Sequence, residues 1–225
     1  MHAIKTLSLF DLTHTLAEPL LSDFPFPWQV LPELTAFIQA LGARLNAKEY
    51  EEVAESVWVA RDARVAPSAH LSGPLIIGHE CEVRHCAFIR GSALVGAQAV
   101  VGNSTELKNC ILFDRVQVPH FNYVGDSILG FGAHMGAGAV TSNVKSDKKN
   151  IQVHLSGHNI ETGLHKFGAM LGDRVEVGCN SVLNPGTIVG RDSVIYPTSC
   201  VRGVVEACHI HRQDGTLIKR RMEDR

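Results

Sequence analysis

The chain has 225 residues, of which 45% are hydrophobic and 20% are charged, so it can bury a core and does not resemble a disordered protein. Its formal net charge of −2 indicates no general affinity for nucleic acid or for an anionic membrane surface. Asp11, His14 and Glu18 interrupt the apolar stretches at the N-terminus, and the sequence has no apolar run of about 18 residues. We therefore expect a cytoplasmic protein with neither nucleic-acid nor membrane partners.

The first part of the chain predicts an irregular arm that ends in a helix. Four prolines interrupt regular structure between residues 19 and 32. The apolar residues that follow have helical spacing, at Leu34, Phe37, Ile38, Leu41 and Leu45. We assign residues 1–58 to an N-terminal arm and a capping helix, and we expect the helix to cap the first coil of the repeats that come next.

From residue 59 onward, an aliphatic or aromatic residue returns every six positions. A helix would spread such residues over all its faces, so the period excludes an α-helix. A mostly small residue stands two positions before each of them, on the same face of a strand. The series begins Val59, Val65, Leu71, Ile77, Val83, Ile89, Val95, Val101, Leu107 and Phe113. We predict an all-β fold, a left-handed parallel β-helix of hexapeptide repeats over residues 59–205, in which three hexads close one coil.

The period is interrupted twice. One hexad loses a residue between Pro119 and Val124, and residues 141–170 have no six-residue period. We interpret the longer interruption as a loop inserted in the β-helix, of the kind that often carries function. Residues 206–225 predict a C-terminal hairpin and tail that turns at Asp214 and Gly215.

The cysteines and histidines give little indication of a metal site. The six cysteines include no CxxC pair, and Cys81 falls at an inward position of the repeat, so we expect buried thiols rather than disulfides or zinc ligands. Two histidine pairs, His79 with His85 and His154 with His158, lack a convincing third ligand. We therefore expect no metal.

An apolar stripe is predicted on the outer surface of the β-helix. Ile76, Leu94 and Leu112 recur every eighteen residues at outward positions, where polar side chains are expected. Such a stripe requires a covering partner, and a triangular prism joins copies of itself most simply around a three-fold axis. We expect a homotrimer; the alternative is that the N-terminal arm covers the stripe.

Two cations stack on one corner of the predicted coils. Arg90 and Lys108 each follow the aliphatic residue of their hexad, one coil apart, at the spacing of adjacent strands, about 4.8 Å. Cations this close favour an anion such as a sugar phosphate; the alternative is two solvated side chains. His120, Asn122 and Tyr123 lie in the hexad where the register is predicted to fail, and a histidine there can accept a proton from an attacking amine.

The next segment has almost no side-chain volume. The run from Met135 to Ala139 contains only glycine and alanine after its first residue, so an extended pantetheine arm could lie along its backbone. Small residues also suit the corners of any such coil. Asn143 opens the lysine-rich loop that follows, where ordinary turn chemistry is the alternative to a functional role.

These motifs resemble a known family over about residues 75–205. The segments VGNSTELKN, VPHFNYVGDS and MGAGAVTSN are similar to the acetyltransferase half of the bifunctional glucosamine-1-phosphate acetyltransferase and N-acetylglucosamine-1-phosphate uridylyltransferase. The long loop, through IETGLHKFGAMLGD, is more similar still to the archaeal-type sugar-1-phosphate nucleotidylyltransferase/acetyltransferase. The resemblance implies a hexapeptide-repeat acyltransferase that forms a homotrimer with sites between its chains.

The resemblance also implies a role for each matching residue, with acetyl-CoA as the co-substrate. The implied catalytic residues are His120 as general base, Asn143, which orients the amine, and Glu106, an acid near the histidine. The implied acceptor-binding residues are Arg90, Lys108, Tyr123, His134 and Lys149, and the implied acetyl-CoA-binding residues are Ala137, Cys179 and Pro197. The sequence departs from the family's pattern at His134, Val144, Cys179 and Leu164–His165, so the resemblance does not imply which amino sugar is the acceptor.

We therefore expect an acetyl-CoA-dependent N-acetyltransferase that acts on an amino-sugar 1-phosphate such as glucosamine-1-phosphate by direct transfer. The first glycine is Gly42, so no glycine-rich phosphate loop precedes it, and we expect no uridylyltransferase domain. Two other classes use the same fold: a γ-carbonic-anhydrase-like metal hydratase and a non-catalytic hexapeptide-repeat trimer. Metal analysis and acetyl-CoA turnover would distinguish the three.

Overall fold

The six-residue period closes the chain into a three-sided, left-handed parallel β-helix, which confirms the predicted fold class. In the computed structural model, which describes residues 2–155 and 157–221, most strands pair in parallel across successive coils. Leu75, Ala93 and Cys110, for example, pair in register on three neighbouring coils. The interior is filled by buried aliphatic residues, and burying each such side chain contributes about 1.5–3 kcal/mol relative to leaving it exposed.

Short strands and a few helical segments make up the regular structure. The helical segments are the 3-10 turns His2–Ile4, Leu12–His14 and Pro27–Val30 and the α-helices α1 (Thr6–Leu9), α2 (Glu18–Ser22) and α3 (Leu34–Gly42). The strands are β1 (Tyr50–Ala54), β2 (Val57–Ala60), β3 (Arg64–Val65), β4 (His70–Ser72), β5 (Leu75–Ile77), β6 (Glu82–Val83), β7 (Phe88–Arg90), β8 (Ala93–Val95), β9 (Val100–Asn103), β10 (Glu106–Leu112), β11 (Gln117–His120), β12 (Tyr123–Leu129), β13 (His134–Met135), β14 (Val140–Thr141), β15 (Gln152–Leu155), β16 (His158–Glu161), β17 (Ala169–Leu171), β18 (Glu176–Val177), β19 (Val182–Leu183), β20 (Thr187–Val189), β21 (Val194–Ile195), β22 (Cys200–Val201), β23 (Val204–Val205), β24 (His209–His211) and β25 (Leu217–Lys219).

The β-helix has three sides, defined by which strands stack on one another. The first side contains β2, β5, β8, the second halves of β10 and β12, β17, β20 and β23. The second side contains β3, β6, β9, β11, β13, β18, β21 and β24. The third side contains β4, β7, the first halves of β10 and β12, β14, β19 and β22. Because β10 and β12 run continuously around a corner, the third and first sides form one sheet.

Two hexads in the middle of the β-helix have five residues instead of six, and both lie at the corner between the third and first sides. Leu107 pairs with Val124, and Leu112 pairs with Leu129, so only five positions separate successive inward residues there. The two hexads from Leu112 to Val124 are complete, because twelve positions separate these residues. The prediction of a register break between Pro119 and Val124 is therefore wrong.

The side chain of Phe113 accounts for the misplaced break. Phe113 continues the six-residue series in the sequence, but its backbone takes the corner position that Gly96 takes one coil earlier. Its ring packs against Phe10 of the arm, with ring centroids 5.1 Å apart. Leu112, which was predicted to face outward, is aligned with the inward residues of neighbouring coils, and Ile111 takes the outward position instead.

The N-terminal arm covers the outer face of the first side. Ile76, Leu94 and Ile111 pair with one another across three coils and are fully buried. They lie on β5, β8 and β10, the strands against which α3 packs. The N-terminal arm therefore covers the apolar stripe within a single chain, and the stripe gives no evidence for a trimer.

Helix α3 lies beside the coils and not, as predicted, over the end of the first one. Gly42 allows this close approach, because a Cβ atom at that position would lie 2.2 Å from Cε3 of Trp58, an outward residue of the first coil. At the edge of the first coil, β1 pairs antiparallel with β2.

A buried carboxylate fastens the beginning of the arm to later coils. Asp173 accepts hydrogen bonds from the backbone N–H groups of Asp11 and Phe131, at 2.8 and 2.9 Å. Nε of Arg191 lies 3.2 Å from the same carboxylate. Burial raises the pKa of Asp173, while the hydrogen bond from Asp11 and the charge of Arg191 act in the opposite direction. The arm therefore spans the first side, from the coils that contain Phe131 and Asp173 to the first coil.

The chain also forms two antiparallel hairpins. β15 and β16 pair antiparallel inside the inserted loop, a feature that the six-residue period did not reveal. β24 and β25 pair antiparallel around Asp214 and Gly215, while Met222–Arg225 of the predicted C-terminal segment lie outside the described residues. None of the helices in the described part of the chain has the length and apolar character that crossing a membrane requires.

We expect Leu94→Ala to destabilise the fold without changing the oligomeric state, because this residue of β8 is buried under the chain's own arm. The free energy of unfolding, measured by urea titration, should fall by about 2–5 kcal/mol. Val53→Ala is the control, because the Val53 side chain is 53% exposed and its truncation should have little effect. Dissociation of an assembly by Leu94→Ala would show that the stripe contacts another chain.

Candidate active site

Most of the predicted acceptor-binding residues lie on the outer face of the third side. Phe88, Glu106 and Tyr123 stack on three neighbouring coils, because β7, β10 and β12 pair in register. Arg90 and Lys108 lie two residues further along their strands, at the corner with the first side. Nε of Arg90 donates a hydrogen bond of 2.7 Å to Glu106, so this carboxylate orients the guanidinium. The structure thus brings Arg90, Lys108, Glu106 and Tyr123 together.

The two shortened hexads build a polar corner next to these residues. Asn109 and Asp126 occupy the corner in two successive coils, each with a φ of 48°, a left-handed conformation that short polar side chains tolerate. Asp126 is almost fully buried, and its carboxylate accepts hydrogen bonds from Nδ2 of Asn109 at 2.8 Å and of Asn143 at 2.5 Å. Nδ2 of Asn143 also lies 3.1 Å from the Tyr123 hydroxyl. Asn143 therefore faces the same surface as Tyr123.

Asp126 also holds the inserted loop at both ends. Asn143, which binds its carboxylate, opens the loop, and Gly168, at the other end, donates its N–H to the Asp126 backbone carbonyl at 2.8 Å. The N–H of Phe167 reaches the carbonyl of Asn143 at 3.1 Å. Asp126 was not among the predicted site residues, since nothing in its local sequence indicates that a distant loop closes on it.

A third cation, Lys166, lies beside Lys108. Burial lowers the pKa of Lys108, and the neighbouring Lys166 and Arg90 lower it further, while the Asp126 carboxylate has the opposite effect. Lys166 lies near the end of the inserted loop, just before β17, and its closeness to the resumed repeats could have indicated that it returns to the coils. Lys149, the lysine predicted for this site, is exposed, and its backbone N–H binds Asp147 within the loop.

The corner and the arm border an open pocket of about 410 Å³. Its walls are Leu31, Thr35, Arg90, Gly91, Ser92, Lys108, Asn109 and Asp126. Cationic groups, a carboxylate, an amide and two hydroxyls therefore surround one opening. Such a set can bind an anion together with the hydroxyl groups of a small polar molecule.

His120 lies at the opposite edge of the third side, where β11 ends. Its N–H donates to Oδ1 of Asn122 at 3.1 Å. The buried Asn122 amide donates in turn to the carbonyls of Gly136 and Ala139, at 2.8 and 3.1 Å, which ties this corner to the next coil. The His120 side chain itself is exposed, three residues before Tyr123. Asn122 thus has a structural part in positioning the histidine that the sequence did not reveal.

A column of small or short residues runs along the same corner below His120. The N–H of Gly138 donates to the carbonyl of His120 at 3.1 Å, that of Asn180 to Ala137 at 2.9 Å, and that of Thr198 to Cys179 at 2.8 Å. Ala137, Cys179 and Pro197, the residues predicted to bind acetyl-CoA, therefore stack on successive coils. A Cβ atom on Gly136 would lie 2.7 Å from the backbone nitrogen of Cys179, so the coils approach closely.

His134, another predicted acceptor-binding residue, lies on a different side of the β-helix. It faces outward on the second side, where Nδ1 is 2.9 Å from Oε2 of Glu176. His134 pairs with Gln117, which lies three residues before His120 on β11. At the rise of a strand, Gln117 and His120 are about 10 Å apart. Within one chain, the structure does not bring His134 to the third side.

The described residues contain no group of three or more histidine, cysteine or acidic side chains that could hold a metal ion. His79 is hydrogen-bonded to Asp62, and His154 is hydrogen-bonded to Asn159. All six cysteines are free thiols; Cys81 and Cys110 are buried, and the others are at least partly exposed. The expectation of buried thiols is thus correct for two of the six.

A family model described as the GMPPB C-terminal domain matches residues 71–209, more than half of the chain. The chain belongs to this family. Relatives of the chain include a bifunctional protein GlmU from Methanococcus vannielii, which is 28% identical over 203 residues, 89% of this chain and 49% of that protein. Another is the bifunctional sugar-1-phosphate nucleotidylyltransferase/acetyltransferase of Sulfurisphaera tokodaii, 28% identical over 80% of this chain and 45% of that protein. The chain spans about half the length of these curated relatives.

Two solved structures are similar to this member of the GMPPB C-terminal domain family. The acetyltransferase domain of PglB from Neisseria gonorrhoeae FA1090, in complex with acetyl coenzyme A, is 18% identical, with a TM-score of 0.34 and coverage of 71% of this chain and 55% of that chain. A variant of AntD, an N-acyltransferase from Bacillus cereus in complex with dTDP and coenzyme A, is 13% identical, with a TM-score of 0.40 and coverage of 77% and 91%.

We expect Asp126→Ala to loosen the inserted loop and to destabilise the protein. The change removes the carboxylate that accepts hydrogen bonds from the amides of Asn109 and Asn143, and a hydrogen bond to a charged group contributes about 1.5–3 kcal/mol. Hydrogen exchange read by mass spectrometry should become faster across residues 143–168 than in the coils. Asp147→Ala, at an exposed carboxylate in the same loop, is the control. Unchanged exchange in Asp126→Ala would contradict the role given to this residue.

Proposed function

We propose that the chain is an acetyl-CoA-dependent N-acetyltransferase whose acceptor is an amino-sugar 1-phosphate. The observation that carries the proposal is the arrangement of one surface, which has an anion pocket at one edge of the third side and His120 at the other. The name of the Sulfurisphaera tokodaii relative includes a sugar-1-phosphate and an acetyltransferase activity, which supports the same reaction class.

Arg90, Lys108 and Lys166 bind the phosphate of the acceptor. The guanidinium presents a planar fork to phosphate oxygens, and the two ammonium groups act as point charges. Without an anion, the repulsion among these cations is opposed by Glu106 and Asp126. A bound phosphate removes the repulsion, so the acceptor is held by the end that does not react.

The amine of the acceptor then lies between Asn143 and His120. Asn143 orients the amine, and Tyr123, which contacts Asn143, lines the site beside the sugar ring. His120 removes a proton as the amine nitrogen attacks the thioester carbonyl and forms the new C–N bond. Backbone N–H groups stabilise the oxyanion of the tetrahedral intermediate. When the C–S bond breaks, the thiolate of CoA takes up a proton, and no acyl-enzyme forms.

The corner below His120 is the proposed path of acetyl-CoA. Ala137, Cys179 and Pro197 stack there on successive coils, and the close approach of these coils leaves exposed backbone with little side-chain volume. An extended pantetheine arm fits such a surface, since it can hydrogen-bond to backbone groups along its length. The thioester at its end would then lie next to His120.

We propose a homotrimer in which neighbouring chains meet on the third side. Exposed apolar side chains remain there and at its corner with the second side: Phe88 is 39% exposed, Phe121 is 61% exposed and Val182 is 37% exposed. Lys149 and His134 do not face their own chain's pocket, and the proposal assigns them to the acceptor site of a neighbouring chain. A closed three-fold assembly would bury the exposed side chains of Phe88, Phe121 and Val182.

We expect His120→Ala to lower turnover by about two to four orders of magnitude, because the general base is lost. The assay follows release of CoA thiol from acetyl-CoA with glucosamine-1-phosphate and galactosamine-1-phosphate. His85→Ala is the matched control, since His85 lies on the same corner as His120, two coils earlier, with Asn103 on the coil between them. Full activity in His120→Ala would refute the mechanism. Acetyl-CoA binding without turnover would point to a different acceptor, and the absence of both binding and turnover would favour a non-catalytic trimer.

We expect Val182→Asp to break the assembly and to abolish turnover, because a charge would be buried between chains. Sedimentation equilibrium should give the mass of three chains for the wild type and of one chain for the variant. Val53→Asp places the same charge on an exposed valine of β1, outside the proposed interface, and should leave the mass unchanged. A monomeric wild type with full activity would contradict the trimer proposal.

A further inference from the structure

The N-terminal arm reaches the anion pocket as well as covering the first side. Leu31 and Thr35 line the same pocket as Arg90, Lys108 and Asp126. Leu31 is buried, which gives the pocket one apolar wall among its polar ones. Thr35 is the second residue of α3, so its position is set by a helix and not by a loop. The arm is therefore part of the boundary of the site.

The position of Thr35 is fixed by the packing of α3. Leu34 and Ile38 are fully buried, and α3 packs against β5, β8 and β10. This packing leaves Thr35 on the exposed face, where its Oγ1 lies 2.6 Å from Oγ of Ser92. Ser92 occupies the corner between the third and first sides with a φ of 53°, two residues after Arg90. The two hydroxyls thus meet at the rim of the cationic pocket.

A second contact connects the arm to the other wall of the pocket. Trp28 stacks on Phe167, with ring centroids 5.7 Å apart and an interplanar angle of 25°. Phe167 is fully buried, follows Lys166 directly, and donates its N–H to the carbonyl of Asn143 at 3.1 Å. The arm therefore packs against the segment that brings Lys166 and Asn143 to the site.

We propose that the arm forms one wall of the acceptor pocket and that the hydroxyls of Thr35 and Ser92 bind the ring hydroxyls of the sugar next to its phosphate. This inference rests on the proposed function and adds the part that selects the acceptor. Arg90, Lys108 and Lys166 recognise an anion, which all sugar 1-phosphates share. The hydroxyl groups of Thr35 and Ser92 can distinguish sugars, because each is both a donor and an acceptor and can match the orientation of a ring hydroxyl.

Thr35→Val tests the proposal, because it removes the hydroxyl and preserves the shape of the side chain. A neutral hydrogen bond contributes about a three- to tenfold change in affinity. We expect calorimetric titration with glucosamine-1-phosphate to show affinity weakened by about that factor, and KM to rise while kcat changes little. The preference between glucosamine-1-phosphate and galactosamine-1-phosphate should narrow. Thr35→Ser should restore both properties, since it keeps the hydroxyl.

Gln39→Ala is the matched control, because Gln39 is exposed one turn further along α3 and lines a different pocket. Wild-type affinity and acceptor preference in Thr35→Val would overturn the inference and leave the arm as a scaffold. If the wild type binds glucosamine-1-phosphate without acetylating it, the proposed function fails, and weaker binding by Thr35→Val still supports the wall. If the wild type acetylates an acceptor but binds neither sugar phosphate, the inference fails while acetyl transfer stands.

Discussion

Each coil of this protein must close with inward side chains on three sides, and this constraint determines where the chain can vary. A strand cannot lose one residue, because its inward side chains would then face outward. The two missing residues are therefore absorbed at a corner, where Asn109 and Asp126 adopt left-handed conformations. The shortened corner places the polar side chains of Asn109 and Asp126 beside Arg90 and Lys108. The candidate acceptor site thus follows from an irregularity that the surrounding regularity confines to one place.

The arm satisfies a second requirement, which is set by the outer face of the first side. Ile76, Leu94 and Ile111 point away from the interior and would expose a continuous apolar surface without the arm. Because the chain covers this side itself, the third side is left accessible for ligands and for other chains. Phe88 and Val182 remain partly exposed there. The position of the arm therefore determines which side of the β-helix is covered and which side is accessible.

The sequence predicted the features that depend on spacing and failed where tertiary contacts decide. The β-helix and the stacking of Arg90 with Lys108 follow from the six-residue period, because a coil of fixed length brings fixed positions together. Phe113 suits the period and the corner equally well, so pattern alone could not locate the short hexads. An apolar stripe looks the same whether its own chain or another covers it. Lys166 reaches Lys108 only because the inserted loop folds back.

The two ends of the inserted loop meet at one residue, Asp126, so the exposed part of the segment between them can vary in length without moving the coils. The entropy cost of closing a flexible loop grows only with the logarithm of its length, about 0.6 kcal/mol for each doubling. Exposed residues of this segment, such as those at 146–148, can therefore be exchanged or extended while the coils keep their register, whereas Ile151, Val153 and Phe167 are fully buried. Variation among related chains can accumulate at the mouth of the pocket, and the architecture offers a natural place for a new sequence to be grafted.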